Sequence, residues 1–383
     1  MRTALVEEET MDLDRKLMLP TNWDSNMVAR VAPIHPAYFY GSLASDPSLR
    51  NSLNLPSAGK EEAAAFIRSA QGQGIKFVYV MNATCLGNRE MSEEGRWEIL
   101  QRCQWLVEAG GVGVISANPF VMELVKEHFP QLELHVSVLA RVDQPRNAVF
   151  FSELGADVIH LDPVVNRDFK RLKAIRQAVD CTLSVLVNEG CTLLCPIRSY
   201  HANVMSHSAA SIQGEYHVDY SYYKCTLDKT TEPAEYIRMP WIRPEDLEVY
   251  AEAGVDLFKI AGREKMGGSR SSHTDWIVNA AETYFFGRRA NLAELLVAIS
   301  GVSPLTGKPA GAPTVRIESS KLDGFVEFFR AGHCDFNCTR CRYCEEWADT
   351  AVRMEGSPDA YVGQLEATLK SLRVGSYRTG AAG

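Results

Sequence analysis

Residues 72–80 read GQGIKFVYV, in which glycines precede an apolar run rich in strand-forming residues. The same arrangement recurs at 108–116 (EAGGVGVIS), 153–160 (ELGADVIH) and 252–260 (EAGVDLFKI). Glycine suits the C-cap of a helix because it adopts positive φ without steric penalty, and the chain can then turn back into a strand. Each stretch therefore predicts the return from a helix to a buried parallel strand, which is the repeating step of βαβ units.

Eight apolar runs of this kind occur before residue 262, with helical patterns in most of the gaps between them. The predicted strands are Lys16–Pro20, Ala37–Tyr40, Lys76–Asn82, Val112–Ser116, Glu133–Val138, Val158–Leu161, Thr182–Asn188 and Leu257–Ala261. Eight such units over roughly 260 residues match a single (β/α)8 TIM-like barrel. The rival architecture is a doubly wound open sheet, but no G-x-G-x-x-G follows any of these strands.

The chain divides into two predicted parts. Residues 1–300 form the barrel, with a long insertion at 189–243 after strand seven, and residues 301–383 form a Cys-rich C-terminal extension. Within the first part, Thr274–Ala298 is predicted to be one helix. Because barrel enzymes build their active sites from the loops after the strands, the insertion is the first place to look for function.

Composition excludes several classes of protein. The net charge of −8 over 383 residues gives no footprint for nucleic-acid binding, which needs a basic face, so an RNA or DNA partner is not expected. No apolar run reaches the roughly 18 residues of a membrane span, and the acidic start lacks the apolar core of a secretory signal. We therefore expect a cytoplasmic protein, in which ten cysteines are more suited to ligand roles than to disulfides.

Four cysteines lie within eleven residues of the extension: Cys334, Cys338, Cys341 and Cys344. Thiolate sulfur suits zinc or iron–sulfur, and a set of four cysteines satisfies either a zinc ion or a [4Fe–4S] cluster. Zinc ribbons usually separate two C-x2-C pairs, whereas this run is compact, so we favour the cluster. The first three cysteines also match the spacing of enzymes that cleave S-adenosylmethionine, but their C-terminal position and Arg340 count against that interpretation.

A second cysteine group follows strand seven. Cys191 and Cys195 lie in NEGCTLLCPIR, and Cys225 comes later in the insertion. These three thiolates leave a fourth ligand open. Cys85, just after strand three, should lie at the same rim of the barrel and is the first choice; a water, a substrate atom or a tail cysteine are alternatives. Cys103 lies inside a helical pattern and is expected to be a core thiol.

Several polar residues follow the strand ends where barrel enzymes place their chemistry. Glu189 is a candidate acid/base for the substrate, or alternatively the partner of Arg198 or Arg263 in a structural ion pair. Arg198 and His201 could bind a carboxylate or donate to cluster sulfurs, or could be ordinary loop residues. Lys259 and Arg263 end strand eight and predict an anchor for a phosphate or carboxylate.

The run NEGCTLLCPIRSYHANVMSHS (188–208), followed by GVDLFKIAGRE (254–264), resembles the peptidase U32 family. That family has a barrel fold, a cysteine motif after a late strand and a KIEGR-like strand, which reads KIAGR here. Members include proteins of oxygen-independent ubiquinone hydroxylation and proteins that hydroxylate tRNA or ribosomal RNA. The resemblance implies [4Fe–4S] clusters with Cys191, Cys195 and Cys225 as ligands, and hydroxylation without O2 in which prephenate can donate the oxygen. The cysteine spacing departs from the commonest family pattern, and the four-cysteine tail has no counterpart in the better-known members.

These patterns predict an iron–sulfur oxidoreductase with one or two [4Fe–4S] clusters, which acts on an anionic small molecule in the barrel mouth and receives electrons from a donor protein. Two alternatives stay open. One is a non-catalytic, cluster-bearing subunit beside a homologous partner subunit, and the other is a zinc-containing barrel hydrolase or isomerase. A peptidase is not expected, because neither G-x-S-x-G nor H-E-x-x-H occurs and the cysteines group as ligands.

Overall fold

The structure is a computed structural model that describes residues 16–46, 48, 55–210, 220–263, 269–297 and 311–375. Eight parallel strands pair in chain order, and β8 pairs with β1 to close a barrel. The strands are β1 (Leu17–Pro20), β2 (Tyr38–Gly41), β3 (Lys76–Met81), β4 (Gly113–Ser116), β5 (Glu133–Val136), β6 (Val158–His160), β7 (Thr182–Leu186) and β8 (Leu257–Lys259). The predicted (β/α)8 barrel is confirmed, and every predicted strand overlaps an observed one.

One helix follows each of the first six strands: α1 (Ser25–Val31), α2 (Lys60–Gly72), α3 (Glu93–Ala109), α4 (Pro119–His128), α5 (Pro145–Glu153) and α6 (Phe169–Ala178). The long insertion between β7 and β8 holds α7 (Arg198–Ala210), α8 (Tyr220–Thr231), α9 (Ala234–Arg238) and α10 (Leu247–Glu252). Side chains of Asp24, Ser92, Asn118 and Asp168 accept backbone hydrogen bonds at helix starts, which explains where α1, α3, α4 and α6 begin.

Two apolar layers hold the barrel together. Side chains that point outward from the strands pack against the helices in one large core. Inward-pointing side chains such as Met18, Val78 and Ile115 form a second cluster inside the barrel. Because successive residues of a strand face opposite sides, His135, His160, Ser184 and Lys259 also point inward, on β5 to β8. The interior along β5 to β8 thus carries several polar side chains, although bulky apolar residues usually fill a barrel.

The segment predicted as a single helix, Thr274–Ala298, is interrupted. Helix α11 (Arg270–Phe285) ends before Gly287, which has φ 59°, and a short α12 (Leu292–Leu295) follows. Glycine at positive φ ends a helix because it turns the chain without steric cost. Asn291 then accepts a hydrogen bond from the Ala293 N–H and starts α12. The prediction of one continuous helix was therefore wrong.

The C-terminal extension folds onto the insertion. It contains β9 (Thr314–Ile317), α13 (Phe325–Arg330), α14 (Tyr343–Ala351), β10 (Val352–Glu355) and α15 (Pro358–Arg373). Strands β9 and β10 form an antiparallel pair, while α13, α14 and α15 contact α6, α9 and α8 respectively. The predicted boundary between residues 300 and 301 lies outside the described residues. Within the described part, no helix has the length and apolarity needed to cross a membrane.

Candidate functional site

The four tail cysteines share one small cavity between the extension and the barrel. Cys334, Cys338 and Cys341 lie in the loop after α13, and Cys344 lies in the first turn of α14. The other residues that line the cavity are Arg167, Leu193, Arg238, Phe328, Phe329, Asp335, Phe336, Asn337 and Tyr343. The structure therefore brings together the cysteines that the sequence places close in the chain, and adds residues from the barrel.

Burial and neighbouring charges shift the pKa values of the tail thiols. Burial raises the pKa of Cys344 to about 12, and it also raises the pKa of Cys334 and Cys338. Cys338 and Cys341 raise the pKa of Cys334 further, whereas the positive charge of Arg167 lowers it. Without a bound cation Cys334, Cys338 and Cys344 hold their protons, so metal binding here would release protons and depend on pH.

No described group of three or more His, Cys, Asp or Glu side chains is arranged to hold a metal ion. A zinc ion requires four sulfurs at about 2.3 Å from one point, and the tail cysteines do not converge in this way. The four soft sulfur donors around one cavity match the ligand type of an iron–sulfur cluster. The fit of these residues to an iron–sulfur cluster therefore rests on their four sulfur donors and on the cavity that they share.

Arg167 lines the same cavity, although no sequence pattern indicates that it lies near the tail cysteines. It follows β6 and is 2% exposed, and its guanidinium donates to the backbone carbonyls of Met239 at 2.6 Å and Trp241 at 2.8 Å. The rings of Trp241, Phe325 and Phe329 lie 4.8 to 5.2 Å from its Cζ. Its Nε is buried and has no hydrogen-bond partner in the described part of the chain. A full positive charge is thus held beside the thiols, within an aromatic cage.

The second cysteine group lies at the barrel rim. Cys191 and Cys195 are in the loop between β7 and α7, and Cys225 is in α8. The Glu189 carboxylate accepts a hydrogen bond from the Cys191 backbone N–H at 3.0 Å, and Lys229 donates to the Gly190 carbonyl at 3.1 Å. Burial and the negative charge of Glu189 raise the pKa of Cys191. Glu189 thus holds the cysteine loop through its backbone.

Cys85 lies on the connection after β3, at the same end of the barrel as Cys191. Its neighbour Thr84 bonds to Asn203 and Ser206 of α7, so this connection packs against the helix that follows Cys195. The structure places these loops at one rim but does not join their cysteines as a metal-ion site among the described residues. Their role as cluster ligands stays a prediction.

Arg198 has a carboxylate partner of its own. One guanidinium nitrogen lies 2.8 and 2.9 Å from the two carboxylate oxygens of Asp162, in the loop after β6. It is this carboxylate, rather than that of Glu189, to which Arg198 donates. His201 lies on α7, where its backbone N–H donates to the Ile197 carbonyl. Arg198 and His201 are therefore carried by the helix that begins just after the two loop cysteines.

The ends of β7 and β8 are locked together by Asn188, which is fully buried. Its amide donates to the carbonyls of Ala261 and Leu295 at 3.0 Å each, and its oxygen accepts from the Ala261 N–H at 2.7 Å. Gly262 follows with φ 124°, and a Cβ there would lie 2.4 Å from the Trp276 ring. The glycine of the KIAGR segment is therefore required by close packing.

Lys259 and Arg263 flank this turn. The Lys259 Nζ lies 4.2 Å from the centroid of the Tyr40 ring, and the Tyr40 hydroxyl donates to the Ile260 carbonyl at 2.9 Å. Arg263 donates to the Ser42 hydroxyl at 2.5 Å. Both side chains are buried. The structure thus places both basic side chains at the end of strand eight, while their function stays a prediction.

A polar column inside the barrel leads toward Lys259. At its lower end Glu133 bonds to Lys76 at 2.6 Å and lies 3.2 Å from the His135 Nε2. The His135 and His160 rings are 5.5 Å apart, and neither nitrogen of His160 has a hydrogen-bond partner among the described residues. Sequence reasoning missed His160, because a single histidine in VIHL carries no local signal of an inward direction.

Comparisons with known proteins agree with this architecture. The model of "Peptidase family U32" matches residues 47–300. A relative from Methanocaldococcus jannaschii, named "Uncharacterized protease MJ1657", is 31% identical over 296 residues, covering 77% of this chain and 82% of the relative. The solved structure of the U32 peptidase Mk0906 is similar with a TM-score of 0.50 and 23% identity, over 65% of this chain and 93% of that one. At that identity the structural likeness concerns the fold.

Proposed function

This chain belongs to the peptidase U32 family, and we propose that it is an iron–sulfur oxidoreductase that modifies an anionic small molecule in the mouth of its barrel. The observation that carries the proposal is the cavity in which four cysteines and the buried Arg167 meet. Four soft donors around one space, with a fixed cation beside them, suit a cluster whose thiolate ligands bring excess negative charge.

The tail site would hold a [4Fe–4S] cluster through Cys334, Cys338, Cys341 and Cys344. When bound, such a cluster would supply one-electron transfer. Arg167 would offset the negative charge of the thiolates, and a buried cation of this kind tunes the reduction potential. Four protein ligands leave no coordination position open, so this site would pass electrons rather than bind the substrate.

The barrel site would hold a second cluster at Cys191, Cys195 and Cys225, with Cys85 as the fourth ligand. Glu189 would keep the cysteine loop in place and act as acid or base toward a substrate. Arg198 and His201, carried on α7, would donate hydrogen bonds to the group that these cysteines hold. Lys259 and Arg263 would anchor the anionic part of the substrate at the end of β8.

The reaction we propose is hydroxylation without O2, with prephenate as oxygen donor, as the family resemblance implies. Reduced protein incubated without air with prephenate and a candidate substrate should form the hydroxylated product. Product that forms only when O2 is supplied would contradict this reaction. An electron-donor protein and a homologous partner subunit belong to the same proposal, and co-purification of either would identify it.

The direct test is the iron, sulfide and zinc content of the full chain purified without air, together with its absorption spectrum. Two clusters predict about eight irons per chain, falling to about four in Cys191→Ala and about four in Cys338→Ala. Cys103→Ala is the matched control, because Cys103 is a buried core thiol of α3, and it should keep all the iron. Zinc without iron would refute the oxidoreductase and favour a hydrolase or isomerase with a structural tail.

A further inference from the structure

Lys259 at the end of β8 is a buried amine. An amine can act as a nucleophile, and the anchoring role proposed above does not use this chemistry. We propose that Lys259 forms an imine with aldehydes or ketones that bear a carboxylate, and that Arg263 receives the carboxylate. The inference deepens the proposed function, because it rests on the barrel mouth being the substrate site. It requires no cluster, so it can fail or succeed independently of the iron chemistry.

The position of Lys259 is unusual for a lysine. The residue is 7% exposed, and within the described part of the chain it has no carboxylate partner and no hydrogen-bond acceptor. Its Nζ lies over the Tyr40 ring, which is itself fixed by the bond to the Ile260 carbonyl. Lysines are almost never buried unless they are paired, so this amine is held in place by packing and not by a counter-ion.

The surroundings favour the neutral amine. Burial lowers the pKa of Lys259 well below its ordinary value, and the positive charge of Arg263 lowers it further. A desolvated lysine beside a second cation is the arrangement that activates an amine for attack on a carbonyl. Lys229 offers the contrast within the same chain, since it is 1% exposed but donates to the Gly190 carbonyl.

Arg263 defines the second half of the ligand. It lies four residues after Lys259, and one of its nitrogens donates to the Ser42 hydroxyl. A guanidinium carries five N–H donors in a planar fork that matches a carboxylate. In the proposed complex a carbonyl compound with a nearby carboxylate would place its carbonyl carbon at Lys259 and its carboxylate at Arg263.

The step balances without any oxidant or reductant. The lone pair of Lys259 Nζ attacks the carbonyl carbon and forms a C–N bond, and the carbonyl oxygen takes up a proton. The C–O bond of this adduct then breaks, water leaves, and an imine remains. His160, fully buried on the inner face of β6 with both nitrogens unpaired, is a neutral imidazole in the same interior that can accept and return the proton.

The test is reductive trapping on the full chain, with pyruvate as the probe and cyanoborohydride as the reductant. Peptide mapping by mass spectrometry should find the reduced adduct on Lys259. Labelling of Lys259 should exceed that of Lys229 by about tenfold or more. The reason is that the pKa of Lys259 is lowered, and the neutral fraction of an amine rises about tenfold for each unit by which its pKa falls toward the working pH. Lys259→Arg should remove this label, while circular dichroism verifies that the variant is folded.

The role of Arg263 is tested with two probes. Arg263→Gln should lower labelling by pyruvate about tenfold more than labelling by acetone, the loss expected for one charged hydrogen-bonded pair. Acetone has no carboxylate, so its labelling reports only the change in the Lys259 pKa when the Arg263 charge is removed. Adducts on other lysines without one on Lys259 in the wild-type protein would overturn the inference. Iron measured on the same sample keeps the two proposals apart, since a loaded cluster without trapping refutes only the imine.

Discussion

Replacing Arg167 with methionine should loosen the end of the long insertion from the barrel, together with the extension that packs on Trp241. The guanidinium donates two charged hydrogen bonds to the carbonyls of Met239 and Trp241 and contacts three aromatic rings. Two such hydrogen bonds contribute about 3–6 kcal/mol, and a desolvated cation over aromatic rings adds about 1–2 kcal/mol. Methionine restores part of the apolar packing, so we expect the free energy that holds this region on the barrel to fall by about 4 kcal/mol.

Hydrogen exchange followed by mass spectrometry measures this loss where it occurs. Because 1.4 kcal/mol corresponds to a factor of ten, the amides of α9 (Ala234–Arg238), which directly precedes Met239, should exchange about a thousandfold faster in Arg167→Met. The amides of β4 (Gly113–Ser116), on another side of the barrel, serve as the internal control. Arg167→Lys should give an intermediate effect, since lysine keeps the charge but not the two-armed geometry. Protection of α9 that stays within a factor of ten of wild type would refute this account of how the end of the insertion is held.

Three further predictions concern the barrel. Burial acts to raise the pKa of Glu133, but hydrogen bonds from His135 and Lys76 lower it from 4.5 to about 2. The contribution of Glu133 to the free energy of unfolding is therefore present above pH 4.5 and is lost as the pH falls toward 2. One pKa unit corresponds to about 1.36 kcal/mol, and we halve the total for solvent screening. Glu133→Gln should therefore lower the free energy of unfolding in urea by about 1.5 kcal/mol at pH 7 and by almost nothing near pH 2. An equal loss at both pH values would contradict this. Asn188→Leu should lower the thermal midpoint strongly, because it leaves the backbone N–H and carbonyl of Ala261 and the carbonyl of Leu295 without the Asn188 amide. A midpoint unchanged in calorimetry would refute that role. Gly262→Ala should yield mostly insoluble protein, since φ 124° and the Trp276 ring both oppose a Cβ; normal soluble yield would count against it.

The barrel was predictable from the sequence because its signals are local. Strand runs of alternating or continuous hydrophobicity, and glycines such as Gly74, Gly110, Gly155 and Gly254 that all adopt positive φ after helices, act within a few residues of one another. The grouping of the tail cysteines is local in the same sense, since all four fall within eleven residues. The break at Gly287 was missed because a single glycine in a helical pattern is often tolerated.

The tertiary structure alone decided which distant residues meet. Arg167 reaches the tail cysteines from a turn more than 160 residues earlier in the chain, and Arg198 meets Asp162 rather than Glu189. The inward direction of His160 and the unpaired burial of Lys259 exist only once the sheet closes and β8 pairs with β1. Local patterns determine the strands and helices because each depends on neighbouring residues, whereas these contacts depend on barrel closure and on the docking of the extension, which no short stretch of sequence encodes.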